Sequence, residues 1–400
     1  MRILLAAKMM DVGGIERCIV ALARELQRRE HTVWVVSSGG HLVAELERSG
    51  ATHLYAPMEI TSPIAMRDSA SVIRRVVREQ GIDLVHSFSA TAALAVNLAL
   101  RPWTRRVERN HNGNGYHRLV PEPRRVSSPM GLQNSPRELA ITTWLRNWFI
   151  SLGAERILVI SPEIRRHLKA VGVPDEQLID FNFVGLDVDS FNPQPFDHAS
   201  VRDEFGFPED ALVVSTIGAL HPRKSHGLFV DTAARVAAAI PQARFLIVGG
   251  GELRHELEQH ALERRLGGRL VFTGVRDDIP RLLSATDVYV KPGVVEGFIG
   301  ITVLEALSLS KPVVAFETED VKLALTDGIT GIVVSNGDTV ALADSIIYLL
   351  QHPSIGAELG AAGHQLVTER FHFGLLAQRL EQFYTDLLAQ QAAPAIVARP

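Results

Sequence analysis

Short apolar segments rich in β-branched residues alternate with helix-length segments along this chain, and the alternation runs through twice. Ile3 to Ala7 predicts a buried strand, Asp11-Val12-Gly13-Gly14 a turn, and Ile15, Cys18, Ile19, Leu22, Ala23 and Leu26 the apolar stripe of a helix. Further strands are predicted over Thr32 to Ser37, Leu84 to Ser87 and Arg156 to Ile160. The rhythm breaks at Gly185-Leu186-Asp187 and the polar stretch Phe191-Asn192-Pro193-Gln194-Pro195. It restarts with strands at Leu212 to Ile217, Arg244 to Val248, Leu270 to Phe272, Val288 to Lys291 and Val313 to Ala315. Repeated strand-helix units imply parallel sheets covered on both faces. The expected fold class is therefore α/β, with two Rossmann-like domains joined by a linker near residues 186 to 200. No fixed-period repeat relates them, which excludes a solenoid. After Asp338 the pattern is helical to about residue 390, and Ala392 to Pro400 reads as a frayed tail.

A length of 400 residues suits two domains. The formal net charge of −4 argues against a dedicated nucleic-acid binder, which needs a basic surface. Cys18 is the only cysteine, so an internal disulfide and a cysteine-based zinc site are both excluded. Ala90 to Leu100, the longest nearly apolar run, is about half the ~20 residues that a spanning helix requires. Lys8 interrupts the first apolar stretch before a signal-peptide core accumulates, so the expected location is cytoplasmic.

In open parallel sheets ligands bind beyond the carboxyl ends of the strands. Gly13 and Gly14 follow the first strand and open a helix, where amide N–H groups and the helix dipole can hold phosphate; a structural turn is the competing reading. His111, in Glu108-Arg109-Asn110-His111, follows an expected strand end near residue 108 and could serve a sugar hydroxyl or a proton, or be a solvated loop residue. His86 ends another strand and has the same two readings. In the second half, Arg223 and Lys224 stand just before a helix, where two cations can balance phosphate charge without a metal. Gly249-Gly250-Gly251 ends the next strand. The densest signal is Lys291 to Leu307: a strand end, a glycine-containing loop with Glu296, and an otherwise apolar helix with Glu305. Carboxylates there can accept hydrogen bonds from vicinal hydroxyls while loop amides take a diphosphate. Seven arginines (Arg101, Arg105, Arg106, Arg109, Arg118, Arg124, Arg125) crowd one segment, with Trp144, Trp148 and Phe149 downstream. These form either a solvated loop and a packed helix, or a patch for an anionic acceptor or a membrane surface.

With these motifs in this order, the chain resembles family 4 of the retaining glycosyltransferases from Met1 to about Leu366. The matching pieces include Gly13-Gly14-Ile15-Glu16-Arg17, Asp83-Leu84-Val85-His86, Phe191-Asn192-Pro193, Arg223-Lys224, Phe272-Thr273-Gly274, the glutamate loop, and Lys311-Pro312-Val313-Val314-Ala315. The resemblance implies the GT-B fold, two Rossmann-like domains facing a cleft, with an acceptor side over 1–185, a donor side over 186–365 and a C-terminal helix and tail, 366–400, that returns to the N-terminal domain. It implies a nucleotide-diphosphate sugar, UDP- or GDP-linked, as co-substrate, with no cofactor or metal. The base would lie near Val275 and Arg276 and the ribose on Glu305. The diphosphate would meet Arg223, Lys224, the Gly13-Gly14 amides and amides around Phe298, Ile299, Gly300 and Ile301. Glu296 and His111 would serve the transferred hexose. A glycan or lipid-linked acceptor, in surface polysaccharide or glycolipid assembly at the inner face of the membrane, is the implied partner. Three departures stand out: eight residues separate Glu296 from Glu305 where seven are usual, Ala219 replaces a frequent arginine, and Gly113 to Arg137 matches no family motif. These leave a catalytically inactive nucleotide-sugar binder and a nucleotide-sugar epimerase as alternatives. Absence of GxGxxG disfavours a dehydrogenase.

Overall fold

The computed structural model describes residues 1–11, 13–100, 122–128, 153–160, 162–181, 185–188, 198–294 and 300–392. It divides into two compact units, Met1–Val184 with Phe373–Pro400, and Gly185–His372.

In the first unit the chain runs β1 (Arg2–Ala6), α1 (Gly14–Arg28), β2 (Thr32–Ser37), α2 (Val43–Arg48), β3 (Thr52–Tyr55), α3 (Pro63–Gln80), β4 (Leu84–Ser87), α4 (Ala90–Leu100), β5 (Arg124–Ser127), β6 (Arg156–Val159), α5 (Pro162–Ala170) and β7 (Leu178–Asp180). The strands form one parallel sheet in the order β3-β2-β1-β4-β5-β6-β7. Strand order reverses between β1 and β4, which opens a crevice at their carboxyl ends. Ile3 and Leu5 face α1, whereas Leu4 and Ala6 face α3 and α4, as the period-two pleat requires. Cys18 is buried in that core, and desolvation pushes its thiol up to about 12, which leaves it unreactive.

The second unit contains α6 (His198–Glu204), β8 (Leu212–Ile217), α7 (His226–Ala239), β9 (Ala243–Val248), α8 (Arg254–Glu263), β10 (Leu270–Gly274), α9 (Ile279–Ser284), β11 (Val288–Lys291), α10 (Ile301–Ser308), β12 (Val313–Phe316), β13 (Ile332–Val334), α11 (Thr339–Gln351) and α12 (Pro353–Arg370). Its sheet is again parallel, β10-β9-β8-β11-β12-β13, with the reversal between β8 and β11. Leu186 pairs with His372 where the chain enters and leaves this unit.

Phe373–Ala392 forms α13, which packs in the first unit through Phe373, Leu376, Ala377, Leu380, Tyr384 and Leu387. Glu381 on it receives Arg29 at 3.2 Å and His31 at 2.8 Å. The chain rejoins the first unit at Phe373 and not at residue 366, because Pro353–Arg370 is one uninterrupted helix of the second unit.

Two expectations change here. Arg124 and Arg125 belong to β5 and not to a solvated basic loop; Arg124 pairs with Glu155 at 2.7 Å and Arg125 with Glu122 at 3.2 Å, so their charges are neutralised within the sheet. The other five arginines, Trp144, Trp148 and Phe149 lie outside the described residues. His86 is fully enclosed: its ring stacks on Phe88, Nδ1 meets the Tyr384 hydroxyl at 2.5 Å and Nε2 meets Ser128 Oγ at 2.7 Å. It is a core residue that fastens α13 to β4, not a group for substrate.

Burial lowers the His86 pKa from 6.5 to about 3, which makes its contribution pH-dependent. Below pH 6.5 the unfolded chain takes up a proton that the folded chain refuses until about pH 3, so stability is lost across that window as pH falls. The expected loss from this group between pH 7 and pH 5 is about 2 kcal/mol. Urea midpoints of the wild type and of His86→Gln at both pH values check it; the variant should lack this part of the slope.

Candidate functional site

In the second unit the carboxyl ends of β8 and β11 are neighbours, and the segments leaving them converge. Beyond β8 the chain turns through Gly218 into a short 3-10 turn, Pro222–Lys224, then into α7. His221 Nδ1 accepts the Arg223 N–H at 3.3 Å, and Ser225 takes a left-handed φ of 53° to start the helix. Arg223 is left exposed and Lys224 half-buried. Beyond β11 come Pro292 and Gly293, and α10 begins after Gly300. A small pocket lies between them, lined by Lys224, His226, Lys291, Gly293 and Thr302 among others. Thr302 is held there by the Tyr289 hydroxyl, which donates to its Oγ1 at 2.8 Å.

This arrangement brings a lysine to the amino-terminal turn of an apolar helix, where free backbone N–H groups and the dipole favour an anion. Glu305 lies three residues beyond Thr302, hence on the same side of α10, and only 9% of it is exposed. A buried carboxylate among Val303, Leu304, Ala306 and Leu307 belongs to no solvated stripe. Glu296, Phe298 and Ile299 lie outside the described residues, whereas Gly300 caps the helix with a φ of −59° and Ile301 opens it.

The glycine run after β9 serves the fold. Gly251 has a φ of 158°, and a Cβ there would meet the Leu220 carbonyl oxygen at 2.5 Å. Next to it, Val275 is 79% exposed and sits against Gly250. The Arg276 guanidinium is engaged elsewhere: it pairs with Glu204 at 2.8 Å and Asp278 at 2.7 Å, and Arg281 joins the same two carboxylates. The Arg276 hydrogen bond holds Asp278 down at about 2. This network ties α6 to α9, so the side chain of Arg276 has a structural task.

In the first unit, Gly13 is the N-cap of α1 with an extended φ of −159°, and a Cβ on it would strike the Glu16 carboxylate. Gly14 differs, since nothing lies within 4 Å of the Cβ it lacks and its φ is ordinary. The fold does not require glycine at 14. Two residues missed by the sequence reading stand beside this turn: Asp11 accepts from His41, whose Nδ1 is 2.6 Å from Oδ1, and this bond lowers the Asp11 pKa. Burial raises Glu16. His111 lies outside the described residues. Among the described residues no three His, Cys, Asp or Glu side chains are grouped as metal ligands, and no helix is long and apolar enough to cross a membrane.

Gly14→Ala therefore separates fold from ligand. Alanine at the first helical position should leave the melting temperature unchanged or slightly raised, and a tenfold or greater loss of turnover would then point to a ligand at this turn. Gly251→Ala should instead lower the melting temperature, because its Cβ meets backbone.

The model of the family described as Glycosyltransferase Family 4 matches residues 12–179, and that described as Glycosyl transferases group 1 matches residues 211–352. A GDP-mannose-dependent alpha-(1-6)-phosphatidylinositol monomannoside mannosyltransferase from Mycolicibacterium smegmatis is 27% identical over 383 residues, 92% of this chain and 94% of the relative. Among solved structures, HepE from Anabaena in complex with UDP and glucose superposes with a TM-score of 0.79 at 19% identity, over 96% of this chain and all of that one. Sucrose-phosphate synthase from Thermosynechococcus elongatus gives 0.77 at 19% identity, over 98% of this chain and all of that one. At such identities the structures establish the fold.

Proposed function

Matched by glycosyltransferase families over both halves, the chain is a nucleotide-sugar-dependent glycosyltransferase of the family 4 type, and on that premise we propose that it is a retaining, metal-independent hexosyltransferase. One observation supports a nucleotide-sugar donor: Lys224 and the amino-terminal turn of α10 line one pocket at the strand-order reversal of the domain that matches group 1, with the buried Glu305 one turn further along α10. An anion site beside a buried carboxylate suits a nucleoside diphosphate, with phosphates on the cations and amides and ribose hydroxyls on Glu305.

In the proposed reaction an acceptor hydroxyl attacks the anomeric carbon on the face from which the diphosphate leaves. A new C–O bond forms as the sugar–phosphate bond breaks, and the departing phosphate oxygen takes the hydroxyl proton. Arg223 and Lys224 stabilise the charge that develops on the diphosphate, an electrostatic task that needs no metal. Glu296 and His111 hold the hexose, which fixes its orientation for attack. The relatives' names include both a GDP-mannose-dependent enzyme and a protein crystallised with UDP, so both donor bases belong in the assay. The phosphatidylinositol mannoside named for one relative supports a lipid-linked acceptor, with peripheral membrane contact from the cytoplasmic side, in surface polysaccharide or glycolipid assembly.

Incubation with UDP-glucose and GDP-mannose, with and without EDTA, tests this reading. Release of nucleotide that EDTA does not reduce, and a product whose anomeric configuration by NMR equals the donor's, are the expected results. Nucleotide binding without turnover on a lipid and glycan acceptor panel would make it an inactive binder. An altered sugar from donor alone would make it an epimerase. Co-sedimentation with anionic vesicles checks the membrane contact.

A further inference from the structure

β10 ends in a bulge. Its register against β9 shifts between Phe272 and Gly274, and Gly274 takes a left-handed φ of 77°. The Gly274 carbonyl accepts the Gly249 N–H at 2.9 Å, which pins the bulge to the end of β9. A bulge at a strand end re-aims the side chain that follows, here Val275, the most exposed large apolar residue among the described residues. Four charged side chains hold the turn behind it. Arg276 Nε and Nη2 donate to the two Asp278 carboxylate oxygens at 2.8 and 2.7 Å, and its Nη1 donates to Glu204 at 2.8 Å. Arg281 donates to Glu204 at 2.6 Å and to Asp278 at 3.0 Å.

The fold does not need these charges to join its helices. Val201 of α6 and Leu282 of α9 already share an apolar core with Phe207, Leu246 and Val248. The four charged side chains are 26% to 31% exposed, and ion pairs that reach water contribute little to stability. What the network adds is a fixed conformation for the turn between β10 and α9, with Val275 held out in solvent. An apolar side chain mounted in this way at the carboxyl edge of a parallel sheet suits the flat face of a ligand. Gly250 keeps the neighbouring space open, since a Cβ on it would come within 2.9 Å of Val275 Cγ2. β10 stands two strands from β8, about 10 Å at the usual strand spacing, which is the order of distance that a ribose puts between a base and its diphosphate.

We propose that Glu204, Asp278, Arg276 and Arg281 are positioning residues, which hold the 274–278 turn as a preformed wall for the nucleobase and so set which base the protein prefers. This rests on the functional reading above. Diphosphate and ribose are common to UDP and GDP, so a preference between them arises only where the base lies. A fixed wall fits one base better than the other, and a loosened turn must be ordered again each time a base docks. Loss of the clamp therefore costs affinity for the preferred nucleotide and leaves the other nearly unchanged.

The test compares wild type, Glu204→Ala and Glu204→Gln, with UDP and GDP as the probes. Kd for each nucleotide by calorimetry, melting temperature and hydrogen exchange over residues 274–278 are measured. Wild type should prefer one nucleotide by about tenfold or more. E204A should melt near wild type, lose about tenfold or more in affinity for the preferred nucleotide, bind the other within about threefold of wild type, and exchange faster over 274–278. E204Q, which keeps an acceptor for one arginine, should recover part of the preference. A wild type that binds both nucleotides equally overturns the proposal. So does an unchanged ratio of the two Kd values in a variant that folds, whether both affinities fall together or neither moves. Failure of both variants to fold assigns the network to stability alone and overturns it as well. A wild-type protein that binds neither UDP nor GDP defeats the functional reading itself, an outcome seen before any variant is compared.

Discussion

Glu305→Ala is expected to weaken nucleoside diphosphate binding about a hundredfold, read by isothermal calorimetry with UDP and GDP. Glu305 is a buried carboxylate on a helix whose other buried positions are Val303, Leu304, Ala306, Leu307 and Ser308, one turn beyond the pocket-lining Thr302. Two hydrogen bonds from ribose hydroxyls to an ionised acceptor contribute about 1.5 kcal/mol or more each, and alanine leaves those hydroxyls buried without partners. About 3 kcal/mol corresponds to two decades in Kd. Glu305→Gln preserves the volume and one acceptor, so it should fall between. An unchanged Kd in a variant that still melts cooperatively would remove Glu305 from the ribose site.

The second large effect is expected from R223A/K224A, which should lose about a thousandfold in kcat/KM with most of it in kcat. Loss of one preorganised charge at a developing oxyanion typically costs a hundredfold or more, and here two cations go together. Arg223 is exposed and Lys224 half-buried in a short turn, so neither holds the core, and the melting temperature should stay near wild type. Turnover that survives the double substitution would move the diphosphate elsewhere in the site. In the wild type, salt should raise KM more than in the double variant, because a screened cation attracts the donor less.

Legibility from sequence followed the chemistry of each strand. Leu212–Ile217 and Val288–Lys291 are mostly apolar runs rich in valine, and their spans emerged from the pattern alone. Arg124–Ser127 did not, since a strand that opens with two arginines resembles a loop until Glu122 and Glu155 are seen beside it. Thr52–Tyr55 and Ile332–Val334 are edge strands of partly exposed residues, too short and too mixed for periodicity to register. Arg223, Lys224 and Glu305 stood out in the sequence as candidates because charge near a helix start or inside an apolar helix is unusual locally. Glu204 did not: seventy-two positions before Arg276 in the chain, it acquires meaning only when α6 lies beside α9. Asp11 and His41 meet for the same reason, across the ends of β1 and β2.

The return of α13 to the first unit has a consequence for synthesis. Residues 1–184 leave the ribosome first, yet Tyr384, which closes over His86, and Glu381, which receives Arg29 and His31, emerge only after the whole second unit. Gly185–His372 is contiguous and can finish folding while the earlier sheet still lacks a wall. Until Leu387 has appeared, the nascent first unit lacks the helix that covers α1 and His86 on β4. A stop codon in α13 before Leu387 therefore damages the beginning of the protein, and chaperone demand should last until that helix has been made.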